Sequence, residues 1–100
     1  MELDLRNPEL FKTPESFYFQ VDLHCTGEMM VNVAPWVELY DSGGKKVKSA
    51  NGKKSTILPG CSSRQAFEVG RIKNGYYKLL LIVDTGTDKV FGGQYELNVR

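Results

Sequence analysis

Apolar and polar residues alternate along most of this chain. In FYFQVDLHC, Phe17, Phe19, Val21, Leu23 and Cys25 fall on one parity and Tyr18, Gln20, Asp22 and His24 on the other. Successive side chains of a strand point to opposite faces, so this period predicts a half-buried strand over Phe17–Cys25. A second strand, Val31–Tyr40, ends at the breakers Asp41, Ser42, Gly43 and Gly44. Lys46–Ala50 and Lys53–Leu58 read as two short strands around Asn51-Gly52, a dipeptide that favours the type I′ hairpin turn. Beyond the Leu58-Pro59-Gly60 turn come strands over Arg64–Val69, Tyr76–Asp84 and Lys89–Val99. In the last, Tyr95, Leu97 and Val99 oppose Gln94, Glu96, Asn98 and Arg100. The opening Glu2–Arg6 is a weak first strand stopped by Asn7-Pro8, and NPELFKTPES, with Pro8 and Pro14, reads as loop.

Seven to eight short strands, with turn signals every 8–12 residues or so, predict an all-β fold. The expected architecture is an immunoglobulin-like antiparallel β-sandwich with Greek-key connections, a single domain over residues 1–100. Tyr77 stands two residues after Gly75 at the start of the penultimate strand, where a tyrosine corner sits. Cys25 ends the strand Phe17–Cys25, and Cys61 lies just before Arg64–Val69. The topology makes these two strands antiparallel neighbours, so the sulfurs can meet. A Cys25–Cys61 disulfide would close a loop of roughly 35 residues and add on the order of 3 kcal/mol. The alternative is two unpaired thiols.

Composition narrows the function classes. One hundred residues suffice for one core without a structural metal. A net charge of +1 argues against nucleic acid as the main partner. No apolar run approaches the roughly 18 residues of a membrane span, so no membrane insertion is expected. MELDLRNPEL has neither the basic start nor the apolar stretch of a signal peptide, and its strand-like opening suggests a domain cut from a longer protein. His24 is the one histidine, which excludes a His-rich metal site, and no cofactor motif is present. Asp22 with Glu68 imitates a hydrolase carboxylate pair across neighbouring strands. The DTGTD stretch, Asp84–Asp88, reads as a turn with Gly86 in the left-handed position. Nothing supplies an activated nucleophile or a poised acid–base pair, so the chain is expected not to be an enzyme. Lys45, Lys46, Lys48, Lys53 and Lys54 cluster on one hairpin, where lysines keep sheet edges from pairing.

The stretch GYYKLLLIVD is apolar on both parities. Tyr77, Leu79, Leu81 and Val83 are assigned to the core, which turns Leu80 and Ile82 outward. If Val37 and Leu39 point inward, Trp36 and Tyr40 join them in an exposed patch of the kind that marks interfaces. The competing reading buries Trp36 as the sandwich tryptophan and needs a bulge beside Val37.

From Phe17 onward the chain resembles the immunoglobulin-like second domain of bacterial envelope proteins related to PapD-type pilus-assembly chaperones. The resemblance rests on Val37–Val47 (VELYDSGGKKV), Leu58–Gly60 (LPG) and Gly75–Asp84 (GYYKLLLIVD). Cys25 stands where that family has Asn, and Cys61 in a turn that carries Ser or Thr there. The family's subunit-binding cleft belongs mainly to a first domain absent here, so chaperone activity carries over to no residue. The resemblance implies an extracytoplasmic, periplasmic or cell-surface location and a binding or scaffolding role. Two expectations follow: a module contacting a protein or neighbouring domain through Trp36, Tyr40, Leu80 and Ile82, or a carbohydrate-binding module using Trp36, Tyr40 and Tyr18.

Overall fold

The computed structural model describes residues 3–86 and 90–99. It holds eight strands: β1 (Leu3–Lys12), β2 (Phe17–Cys25), β3 (Val31–Asp41), β4 (Lys46–Asn51), β5 (Ser55–Ile57), β6 (Ser62–Gly70), β7 (Gly75–Asp84) and β8 (Val90–Val99). One sheet runs β1-β2-β6; the other runs β4-β3-β7-β8, with β5 also on β3. All neighbours are antiparallel. The β2–β3, β5–β6 and β6–β7 connections cross between the sheets. The fold is the immunoglobulin-like β-sandwich that the alternation predicts. Glu2, Asp88, Lys89 and Arg100, which the sequence reading assigned to strands or turns, lie outside the described residues.

Inward parity fills the space between the sheets. Phe19, Val21, Leu23 and Cys25 of β2 and Phe67 and Val69 of β6 meet Val33, Val37 and Leu39 of β3 and Leu79, Leu81 and Val83 of β7. Each such side chain contributes about 1.5–3 kcal/mol by leaving water. Phe19 anchors the middle, with its ring centroid 6.4 Å from Phe67 and 5.3 Å from Tyr95.

Three expectations are corrected here, and the open choice between a buried and an outward Trp36 is decided. The first strand does not stop at Asn7-Pro8. It continues to Lys12 across a bulge between Arg6 and Glu9, with Asn7 at φ 54°. Pro lacks an N–H but is tolerated on an edge strand at a bulge, and β1 is an edge. Asn51-Gly52 is not a hairpin turn, because β4 and β5 do not pair with each other. Both lie on β3, β4 against Trp36–Tyr40 and β5 against Val31–Val33. The Gly52 N–H bonds the Pro35 carbonyl at 2.8 Å, and the buried Gln65 amide ties Lys53 to β6 through its N–H and its carbonyl.

Cys25 and Cys61 are free thiols rather than a disulfide. Their backbones do meet: the Cys25 N–H donates to the Cys61 carbonyl at 2.9 Å. But Cys25 lies on the inward parity of β2 and is buried, while Cys61 is exposed. Trp36 is not in the core. The β3–β7 register runs unbroken from Ala34 to Asp41, so no bulge brings Trp36 inward beside Val37.

Candidate functional site

The outer face of the five-stranded sheet is built by even positions. Trp36, Glu38 and Tyr40 follow one another along β3, and Ile82, Leu80 and Lys78 stand opposite them on β7. Gly92, Gln94 and Glu96 continue the rows on β8. Core packing takes the odd positions, so these side chains are turned out by the pleat alone. Trp36, Tyr40, Leu80 and Ile82 are nevertheless half-buried, because they pack on one another across strands. The four residues of the expected patch thus lie on one face, with Glu38 and Lys78 among them.

Glu38 organises the β3 row. The Tyr40 hydroxyl donates to its carboxylate at 2.7 Å, and the Trp36 indole adds a smaller hydrogen bond. Both aromatic side chains therefore lean along the strand toward Glu38. The Tyr40 bond, helped by the charge of Lys46 and by Trp36, holds the Glu38 carboxyl below its ordinary range. The same bond pushes the Tyr40 phenol up. Glu38 is thereby a fixed anionic acceptor between two aromatic rings. At one end of the face an open groove of about 690 Å³ is lined by Tyr40, Tyr76, Lys78, Gln94, Glu96 and Asn98.

Tyr76 is the residue the sequence reading left out. Its ring is 69% exposed and adjoins the groove. Its signal was available, since it shares the parity of Leu80 and Ile82. Tyr18, by contrast, does not join Trp36 and Tyr40. It lies on the other sheet, stacked on Phe11 with centroids 5.4 Å apart. Tyr77 donates its hydroxyl to the Lys73 carbonyl at 2.7 Å, the contact that defines a tyrosine corner, and so fixes the start of β7.

The remaining candidates have structural partners. Asp22 stands opposite Arg64, not Glu68, and accepts from Arg64 at 2.9 Å and from Asn7 at 3.0 Å. Those bonds hold its carboxyl low. His24 Nδ1 lies 2.7 Å from the Ser62 hydroxyl. Among the described residues, no group of three His, Cys, Asp or Glu side chains is placed to hold a metal ion.

No protein-family model matches the chain, and no curated protein matches it. Solved structures share its fold. Its sandwich is similar to part of the alkylpurine DNA glycosylase AlkC of Pseudomonas fluorescens, at TM-score 0.70 and 15% identity over 99% of this chain and 30% of that one. It is similar to part of a β-glucuronidase of Bacteroides uniformis, at TM-score 0.69 and 10% identity over 99% of this chain and 13% of that one. The β-glucosidase DesR of Streptomyces venezuelae gives TM-score 0.60 and 14% identity over 98% and 15%. The chain therefore spans less than a third of each of these proteins. At such identity they establish the sandwich fold alone, and the PapD-type resemblance rests on its quoted motifs.

Proposed function

We propose that this chain is a non-catalytic accessory module that binds a protein surface, a neighbouring domain or a partner subunit, through the outer face of its five-stranded sheet. The observation that carries this reading is the apolar row across the sheet: Trp36 opposite Ile82, with Leu80 and Tyr40 beside them, all on the parity that the core does not use. Aromatic and aliphatic side chains gathered on one face are the usual centre of a protein interface. The AlkC, β-glucuronidase and DesR structures support an accessory role, since the matched sandwich is a small share of each of those chains. The PapD-type resemblance supports an extracytoplasmic setting.

The test is retention of a binding protein from envelope extract by the wild-type chain and by Ile82→Lys. Lysine can extend its charged end from a half-exposed site, so folding is expected to survive while retention is lost. Equal retention by both proteins would sink the reading. Loss of the circular dichroism spectrum would make Ile82 a core residue instead.

A second reading is favoured by the groove between Tyr40 and Tyr76. Two aromatic rings beside Lys78, Gln94, Glu96 and Asn98 offer stacking surfaces and hydrogen-bonding groups suited to a sugar, and two of the similar structures are glycosidases. This reading expects soluble polysaccharide to retard the chain in affinity electrophoresis, and Tyr76→Ala to abolish the retardation.

A further inference from the structure

A sheet edge presents unpaired N–H and C=O groups, and folded proteins protect such edges with prolines, bulges, charges or a covering segment. Three edges of this sandwich are protected. β1 carries Pro8 and the Arg6/Glu9 bulge. β4 carries Lys46 and Lys48, with a register shift opposite Leu39/Tyr40. β6 is covered by the β4–β5 connection, pinned through Gln65 and Lys53. Among the described residues, β8 has no proline, no bulge and no strand paired on its free side. Its ten residues hold an unbroken register with β7 from Val90 to Val99, contain no proline, lysine or arginine, and carry one charge, Glu96.

We propose that β8 pairs antiparallel with β8 of a second copy of this chain, about a two-fold axis through Gln94, joining two five-stranded sheets edge to edge. The sequence of β8 is self-complementary in that register. Glu96 faces Gly92 of the second copy, and Val90 faces Asn98, so no carboxylate meets a carboxylate. An axis at Glu96 would oppose two like charges, which is unfavourable. On the inner side, Leu97 meets Phe91 and Tyr95 meets Gly93. Beside Phe91, between β1 and β8, a cleft of about 410 Å³ lined by Leu3, Asp4, Leu5, Val90, Phe91 and Gly92 lies on the side from which Leu97 of the second copy would approach. This pairing rests on the backbone edge and not on the apolar row of Trp36, Tyr40, Leu80 and Ile82, although Gln94 also lines the groove beside Tyr40 and Tyr76.

Sedimentation velocity under reducing conditions, from about 1 µM to about 1 mM, tests it. The wild type is expected to form a reversible dimer. Gln94→Lys, which sets two lysines against each other on the axis, is expected to weaken that dimer at least several-fold with an unchanged circular dichroism spectrum. Ile82→Lys is expected to leave it intact. A monomer at every concentration, or a dimer indifferent to Gln94→Lys, overturns the proposal. Should Gln94→Lys fail to fold, Gln94→Cys in a Cys61→Ser background decides. On oxidation it is expected to give a disulfide-linked dimer faster than Tyr76→Cys in the same background, and equal or slower linking refutes the register.

Discussion

Replacing Gly52 by alanine isolates one structural claim. A Cβ at this position would lie 2.7 Å from Phe67 Cε1, 2.8 Å from Gln65 Oε1 and 2.9 Å from Pro35 Cγ, and the Gly52 backbone is not left-handed. The glycine is there because three side chains close over it. Phe67 is fully buried and Gln65 is 4% exposed, so neither moves freely. Overpacking of this kind costs about 1–3 kcal/mol. Displacing the Gln65 amide from Lys53 adds roughly 1 kcal/mol for a weakened buried hydrogen bond. The more restricted unfolded chain returns about 0.4–1 kcal/mol. The net expectation is a loss of about 2 kcal/mol, or roughly 8–16 °C of midpoint at 4–8 °C per kcal/mol for a domain of this size. Urea and thermal unfolding followed by circular dichroism measure both. Gly44→Ala is the control: its φ is +86° and nothing lies within 4 Å of its Cβ, so its cost comes from the backbone alone. A change below about 0.5 kcal/mol at position 52 would refute the close-approach argument and restore an open turn at Asn51-Gly52.

Two other predictions concern titration and thiols. The folded Glu38 carboxyl lies below its ordinary 4.5, so its contribution to stability is present above that value and is lost as pH falls through the lowered one. Tyr40→Phe removes the largest cause and is expected to bring the Glu38 carboxyl back up toward 4.5 in an NMR titration; an unmoved titration would disprove the Tyr40–Glu38 bond. With a disulfide-exchange reagent and no reductant, Cys61 is expected to react at once and Cys25 only on unfolding, giving two thiols per denatured chain. Finding none in the denatured chain would restore the disulfide.

The strands with strict alternation were legible from the chain alone. β2 was bounded as observed, because one of its parities is apolar and the other polar, and β3 and β7 differ by one residue at an end, where the flanking turn residues bound them. The misreadings share a cause: local chemistry does not say what lies beside it. Proline ends a central strand but not an edge strand with a bulge, and nothing near Pro8 reveals that β1 is an edge. Asn-Gly reads the same whether it makes a left-handed turn or admits Phe67 against a bare Cα. Trp36 and Val37 are both apolar, so that pair has no phase of its own, and the unbroken pairing with β7 decides which faces out. The cysteines were rightly brought together in the backbone. The parity that buries Phe19, Val21 and Leu23 also buries Cys25, while Cys61 sits in an exposed turn.

The sandwich's two outer faces differ, and the binding role proposed for the five-stranded sheet rests on that difference. The core constrains neither. On the three-stranded sheet, the outward positions of β2 and β6 are mostly polar: Gln20, Asp22 and His24 beside Ser62, Arg64 and Glu68, joined by the Arg64–Asp22 ion pair. That is what solubility alone requires of a surface. On the five-stranded sheet, the equivalent positions hold Trp36, Tyr40, Tyr76, Leu80 and Ile82 among the polar Glu38, Lys78, Gln94 and Glu96. The fold would tolerate charged residues at those sites, since the same pleat carries them on the other side. The apolar choice adds cross-strand packing to the sheet but leaves an apolar surface open to nonspecific association. Under the binding role proposed above a partner surface covers it, and a two-fold axis at Gln94, perpendicular to the sheet, would set two such faces side by side on one side of the proposed dimer. A partner with two matching sites would then bind with the added strength of linkage, without any further contact in either domain.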